Sequence, residues 1–180
     1  MAGRSVNWCP TGSGQPHCLA CTRAKSVAVI RISSLPKKYG TRIGSPGLIL
    51  LDTHVLVWLD EASPRLGEAA IAKIDKAFHS GVAMVSAISF WEVGMLVRKG
   101  RIRLDADLAV WRNDFLEQGL IEVPLTGDIG IQASCFDGFH GDPADRLIAA
   151  TALQNTAVLV TADERLLSCE LAITCLDARI

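Results

Sequence analysis

Four acidic side chains stand where carboxylates could work together. Asp52 ends the apolar run Leu48-Ile49-Leu50-Leu51, and Asp163 follows Val158-Leu159-Val160 after Thr161 and Ala162. Glu92 lies in Ile88-Ser89-Phe90-Trp91-Glu92-Val93-Gly94-Met95-Leu96, among bulky apolar neighbours where a lone buried carboxylate is costly. Asp145 closes Asp142-Pro143-Ala144-Asp145. Carboxylate oxygens suit hard divalent cations such as Mg²⁺ or Mn²⁺, which polarise a phosphoryl group and lower the pKa of bound water. Together the four groups have the chemistry for phosphodiester hydrolysis. Taken singly, each also has a plainer explanation. Glu92 can pair with Arg98 or Arg146, or lie on the wet face of its helix.

The elements around these residues follow a regular pattern. Leu48–Leu51 and Val158–Val160 read as strands buried on both faces. Thr53–Leu59 reads as a short helix, and Gly67–His79 as a longer one closed by Gly81. Val82–Val85 is a strand, and Ser86 can cap the helix carrying Glu92, which ends at Gly100. A helix over Leu108–Gln118, a strand over Leu120–Val123 and a short helix around Asp128–Cys135 follow. Asp142 as N-cap, Pro143 at the first helical position and Asp145 in the first turn begin a helix running to about Asn155. Leu171–Leu176 reads as the last strand. Strands alternating with helices imply an α/β fold whose parallel sheet is covered on both faces. In such sheets functional groups collect beyond the carboxyl ends of the strands, at a switch in strand order. Asp52 and Asp163 occupy such ends.

Composition divides the chain unevenly. Of 180 residues 49% are hydrophobic and only 6% aromatic, enough for one aliphatic core. Residues 1–47 hold seven basic side chains and no acidic one, so 11 basic residues face all 19 acidic ones in 48–180, a formal charge of −8. The leader is punctuated by Gly, Pro and Ser and lacks a helical period; it reads as a disordered extension, or as an upstream stretch admitted by too early a start codon. Among its Cys9, His17, Cys18 and Cys21, the Cys18-Leu19-Ala20-Cys21 stretch has the two-residue gap of a zinc site, but no second matching pair follows. No apolar run approaches the roughly 18 residues of a membrane span, and the unpaired Cys135, Cys169 and Cys175 read as reduced, so a cytoplasmic protein away from membranes is expected.

The four acids resemble, in order and setting, those of the PIN-domain nucleases, and more closely the VapC toxin branch. The resemblance rests on Leu51-Asp52-Thr53-His54-Val55-Leu56-Val57-Trp58, Val85-Ser86-Ala87-Ile88-Ser89-Phe90-Trp91-Glu92, His140-Gly141-Asp142-Pro143-Ala144-Asp145-Arg146-Leu147-Ile148-Ala149-Ala150-Thr151-Ala152 and Leu159-Val160-Thr161-Ala162-Asp163. It covers about 48–180 and leaves 1–47 without a counterpart. It implies a three-layer α/β/α PIN-like fold with a central, mostly parallel sheet. It further implies a Mg²⁺- or Mn²⁺-dependent endoribonuclease, paired with a VapB-like antitoxin that blocks the site, and a homodimer. Asp52, Glu92 and Asp145 would be the principal metal ligands, with Asp163 completing the set. Many relatives carry Asn where this chain has His54, so the resemblance assigns that residue no role.

Other residues admit two readings each. Thr53 and Thr161 could orient waters or phosphate oxygens, and Arg146 could contact the scissile phosphate or steady a carboxylate. Asp142 is explained by capping, while His54 and His140 could contact substrate but read more simply as ordinary polar histidines near a loop. Trp58, Trp91 and Trp111 fall among apolar neighbours, which favours core or protein-interface packing over base stacking. Arg98-Lys99-Gly100-Arg101-Ile102-Arg103 is the one dense basic stretch of 48–180 and could meet an RNA backbone or an acidic partner. Three rival functions remain at this level: a catalytically weak interaction module, a DNA-directed metal nuclease, and an aspartyl phosphatase. The last would need an acid two residues after Asp52, where His54 stands.

Overall fold

The computed structural model describes residues 47–137, 139 and 142–180. The basic leader, apart from Gly47, and His140 lie outside the described residues. The elements in chain order are β1 (Ile49–Leu51), α1 (Thr53–Asp60), α2 (Glu68–Ser80), β2 (Ala83–Ser86), α3 (Ala87–Arg98), α4 (Leu108–Glu117), β3 (Ile121–Val123), α5 (Gly127–Ser134), α6 (Pro143–Gln154), β4 (Val158–Thr161), α7 (Glu164–Leu167) and β5 (Cys175–Asp177). Five strands form one sheet in the order β3-β2-β1-β4-β5, and every pairing is parallel.

Side-chain alternation along the strands sends residues to two cores. Ile49 and Leu51 of β1 join Ala83 and Val85 of β2 beneath α1, α2, α3 and α4, where Phe78, Phe90, Trp111 and Phe115 supply most of the bulk. Leu50, Met84 and Leu159 point the other way, against Ile129 and Ala133 of α5 and the Ile148–Ala152 stretch of α6. A sheet with helices on both faces is the expected α/β/α arrangement. Small residues at Ala149, Ala150 and Ala152, all fully buried, let α6 lie close on the sheet.

Strand order reverses at β1, whose neighbours are β2 on one side and β4 on the other. Both crossovers leave a crevice past the carboxyl ends of β1 and β4, and the chain turns there at Asp52 and Asp163. Tight register holds the two ends level, with Leu51 opposite Val160.

Local expectations met the structure unevenly. Gly81 closes α2 in the left-handed conformation (φ 65°), and Asp142, Pro143 and Asp145 begin α6 as a capping box. Ser86 occupies the N-cap of α3 yet makes no side-chain cap; its hydroxyl is turned to Thr151 Oγ1 at 3.1 Å. The last strand starts at Cys175 rather than Leu171, because the Ile173 N–H bonds back to the Leu171 carbonyl and bends the apolar run. Helix α7 was not anticipated, being too short for any period to register. Trp111 is buried, Trp58 half-buried, and Trp91 is 58% exposed on α3. Cys135 is exposed, just past the end of α5. Among the described residues no helix is long and apolar enough to cross a membrane.

Candidate active site

Asp52 is the best-anchored of the four acids. It caps α1, is 3% exposed, and its Oδ1 accepts the Thr53 N–H at 2.6 Å. Its Oδ2 accepts the Thr161 hydroxyl, also at 2.6 Å. Burial of a carboxylate is tolerable here because each oxygen has a donor and the first turn of α1 presents its positive end.

The two threonines act as relays between acids. Thr53 gives its N–H to Asp52 and its hydroxyl to Glu92 Oε2 at 2.7 Å. Thr161 gives its hydroxyl to Asp52, while the same oxygen accepts the Asp163 N–H at 3.0 Å. Both hydroxyl protons are therefore spent on carboxylates. Sequence suggested waters or phosphate oxygens as their partners; here they set the spacing of Asp52 from Glu92 and from Asp163 instead. Asp163 also caps α7, with Oδ1 accepting the Arg165 N–H at 2.8 Å.

Asp145 enters from the opposite face, in the first turn of α6. Its Oδ2 accepts the Asp142 N–H at 3.3 Å, the returning half of the capping box, and Asp142 Oδ1 accepts the Ala144 N–H at 3.1 Å. Burial first, then repulsion from Asp52, Asp163 and Glu92, pushes the Asp145 carboxyl up to about 7. Glu92 is also raised, chiefly by burial, with Asp52 and Asp142 adding repulsion against the relief of the Thr53 bond. The four acids thus share one electrostatic neighbourhood. Asp142, which capping alone explained, adds a fifth charge to it.

Arg146 is not part of this neighbourhood. Its Nε donates to the Ala133 carbonyl at 2.8 Å, its Nη1 to Phe139 at 2.6 Å, and its Nη2 to Phe136 at 2.8 Å and Ser134 at 3.3 Å. The guanidinium lies 5.9 Å from the ring centres of Phe136 and Phe139. Neither expected task, contacting a phosphate or steadying a carboxylate, describes it: the side chain gathers the carbonyls of Ala133 and Ser134 at the end of α5 with those of Phe136 and Phe139 beyond it. Glu92 accordingly pairs with Thr53 rather than with Arg146.

His54, which the sequence reads as an ordinary polar histidine, is tied to both Ala162 and Asp52. Its Nε2 accepts the Ala162 N–H at 2.8 Å, its Nδ1 stands 3.5 Å from Asp52 Oδ2, and its ring packs on Trp58 with centres 4.9 Å apart. No local pattern signals a contact between residues 108 positions apart.

An all-carboxylate donor set fits a hard cation such as Mg²⁺ or Mn²⁺, and an ion between the acids would relieve the repulsion that raises Asp145. Among the described residues, no three such side chains are drawn tightly enough to make a closed coordination shell. A looser cradle still suits Mg²⁺, which keeps several waters and binds through one or two carboxylates.

Comparison with known proteins places the fold in a family. The PIN domain family matches residues 49–170. Ribonuclease VapC22 of Mycobacterium tuberculosis is 37% identical over 121 residues, which cover 67% of this chain and 90% of that protein. The crystal structure of VapBC2 from Rickettsia felis, bound to a DNA fragment from their promoter, shares the fold with a TM-score of 0.55 at 18% identity, over 72% of this chain and 99% of that one.

Proposed function

The chain belongs to the PIN-domain family, and we propose that it is a divalent-metal-dependent endoribonuclease acting as the toxin of a toxin–antitoxin pair. The observation that carries this reading is the convergence of Asp52, Glu92, Asp145 and Asp163 on the crevice beyond β1 and β4, close enough that three of them repel the fourth. The similarity to a ribonuclease at 37% identity supports RNA as the substrate.

Asp52, Glu92 and Asp145 would hold Mg²⁺ or Mn²⁺, with Asp163 completing the set directly or through water. Bound there, the ion would polarise the phosphoryl group and make water a better nucleophile near neutral pH. The chain's own work is positioning. Thr161 and Thr53 keep the Asp52 carboxylate aimed, and Thr53 does the same for Glu92 Oε2. Exposed cations at Arg98, Lys99, Arg101 and Arg103 follow Glu92 at the end of α3, and none joins a salt bridge among the described residues. They are suited to hold the RNA backbone against the acidic body.

Protein partners have separate surfaces. Trp58, Leu59, Ala62, Ser63, Leu66 and Ile71 line an apolar recess of about 80 Å³, suited to a side chain of a VapB-like antitoxin. Trp91, with half-exposed Ile88 and Met95 one turn to either side, forms an apolar strip on α3 suited to a second copy of the chain.

The test is cleavage of total RNA by the purified chain, with fragment ends mapped. Cuts in Mg²⁺ or Mn²⁺ that vanish in EDTA and in Asp52→Asn support the reading. Full cleavage in EDTA overturns the metal dependence, and cutting of DNA in preference to RNA overturns the substrate.

A further inference from the structure

His54 makes three contacts that together fix its ring. A backbone N–H can donate only to an unprotonated ring nitrogen, so the 2.8 Å bond from Ala162 leaves Nε2 bare. The ring proton of the neutral imidazole is then on Nδ1, which faces Asp52 Oδ2 at 3.5 Å. Trp58, one helical turn further along α1, packs on the ring and limits its rotation. Ala162 directly precedes Asp163, whose own N–H is held by Thr161. The exit of β4 is therefore tied to the start of α1 twice, once through Thr161 in the interior and once through His54 nearer the surface.

We propose that His54 is a positioning residue: as its Nδ1–H tautomer it straps the Ala162–Asp163 turn to α1 and so holds the Asp163 carboxylate in register with Asp52 for sharing one cation. This rests on the metal-site reading above. The geometry gives each ring nitrogen a separate task, Nε2 accepting from the strand exit and Nδ1 presenting a dipole to Asp52. An outer partner that orients a metal ligand is typically worth about 10–100-fold in metal affinity.

The experiment measures Mn²⁺ affinity by titration calorimetry in the full chain, its His54→Ala and His54→Gln variants, and the same His54→Ala change in an Asp163→Asn background. Nitrogen NMR of the imidazole reads the tautomer in the unsubstituted chain, so folding of the variants is not required for that arm. The expected result is the Nδ1–H tautomer and about tenfold weaker binding in His54→Ala. Gln, whose carbonyl can reach the Ala162 N–H, should recover part of the loss. In the Asp163→Asn background His54→Ala should cost little more, because the strap then has no ligand to hold. An Nε2–H tautomer, unchanged affinity in His54→Ala, or an equal loss in both backgrounds overturns the proposal. A full chain that takes up no Mn²⁺ overturns the metal-site reading itself, and the strap's role falls with it.

Discussion

The two halves of the candidate site are built differently. Around Asp52 the carboxylate is buried between β1 and β4, and each oxygen accepts a 2.6 Å hydrogen bond from a threonine. Around Asp145 the carboxylate stands in the first turn of α6, half-buried, with one 3.3 Å bond and three acidic neighbours. Sheet register fixes the first; a helix cap and a loop held by Arg146 fix the second. The contrast suggests a division of labour, in which a rigidly held anchor waits for a cation and a proton-sensitive acid answers its arrival.

The largest effect should come from removing the anchor. Asp52→Asn takes a charge from the ion and leaves one acceptor oxygen where the two threonines used two, so cleavage should fall about a thousandfold, or roughly 4 kcal/mol of transition-state stabilisation. Asp145→Asn should lower cleavage as severely while leaving the metal-free fold more stable at pH 8, since it removes a charge that three neighbours oppose. Rates measured at saturating RNA, beside thermal melts in EDTA, separate the two. Equal destabilisation by both substitutions would erase the distinction between the halves.

Proton linkage sharpens the same contrast. Asp145 titrates near 7 in the fold against an ordinary value of 3.8, so between those values the native state holds a proton that the unfolded chain has lost. Stability of the metal-free protein should therefore fall as pH rises from about 4 to about 7, and the loss is complete above the folded value. Bound cation should reverse the penalty and release that proton, making metal affinity weaker below pH 7. Melting curves from pH 5 to pH 8 in EDTA should show this slope, and Asp145→Asn should flatten it. An unchanged slope in the variant would assign the pH dependence to other groups.

Arg146 tests the loop half from outside the acids. Its four bonds to carbonyls of 133–139 include three at 2.8 Å or shorter, and charged hydrogen bonds of this kind contribute about 1.5–3 kcal/mol each when a partner is removed, without adding simply. Arg146→Met keeps the stem and deletes the donors. It should lower stability by about 3 kcal/mol in urea unfolding, and cleavage should suffer only as far as α6 shifts. Restored stability in Arg146→Lys would contradict this account, because an ammonium cannot span the four acceptors.

How much of this could be read beforehand depended on the range of each interaction. Helix starts and stops at Gly81, Asp142 and Pro143 are local chemistry, and they appeared in the sequence at the right positions. The buried runs at β1 and β4 announced themselves, and with them the placement of Asp52 and Asp163 at strand ends. What stayed hidden were partnerships set by sheet packing. Thr161 and Asp52 are 109 positions apart, as are Ser86 and Thr151 by 65, and no periodicity encodes them. Ser86 shows the cost of local inference: its type and position favour a cap, yet a buried hydroxyl across the helix pair offered a better partner. Arg146 misled for the opposite reason, since its position beside Asp145 suggested the site, while helical geometry turned it toward α5.

Asp142 gives the smallest and most discriminating effect. It sits in the loop half as an exposed cap, yet its charge also opposes ionisation of Glu92. Asp142→Ala should cost about 1 kcal/mol of stability through the lost cap. It should also let Glu92 ionise more easily, because one of its repelling neighbours is gone. Asp142→Asn keeps the capping oxygen and removes only the charge, so it should spare stability and still ease Glu92. Comparing the two variants by urea unfolding and by titration of Glu92 with carbon NMR divides cap from charge. If Asn and Ala destabilise alike, Asp142 works through its charge on the α6 terminus. If neither moves Glu92, the fifth carboxylate stands apart from the other four, and the loop half contributes to the site through Asp145 alone.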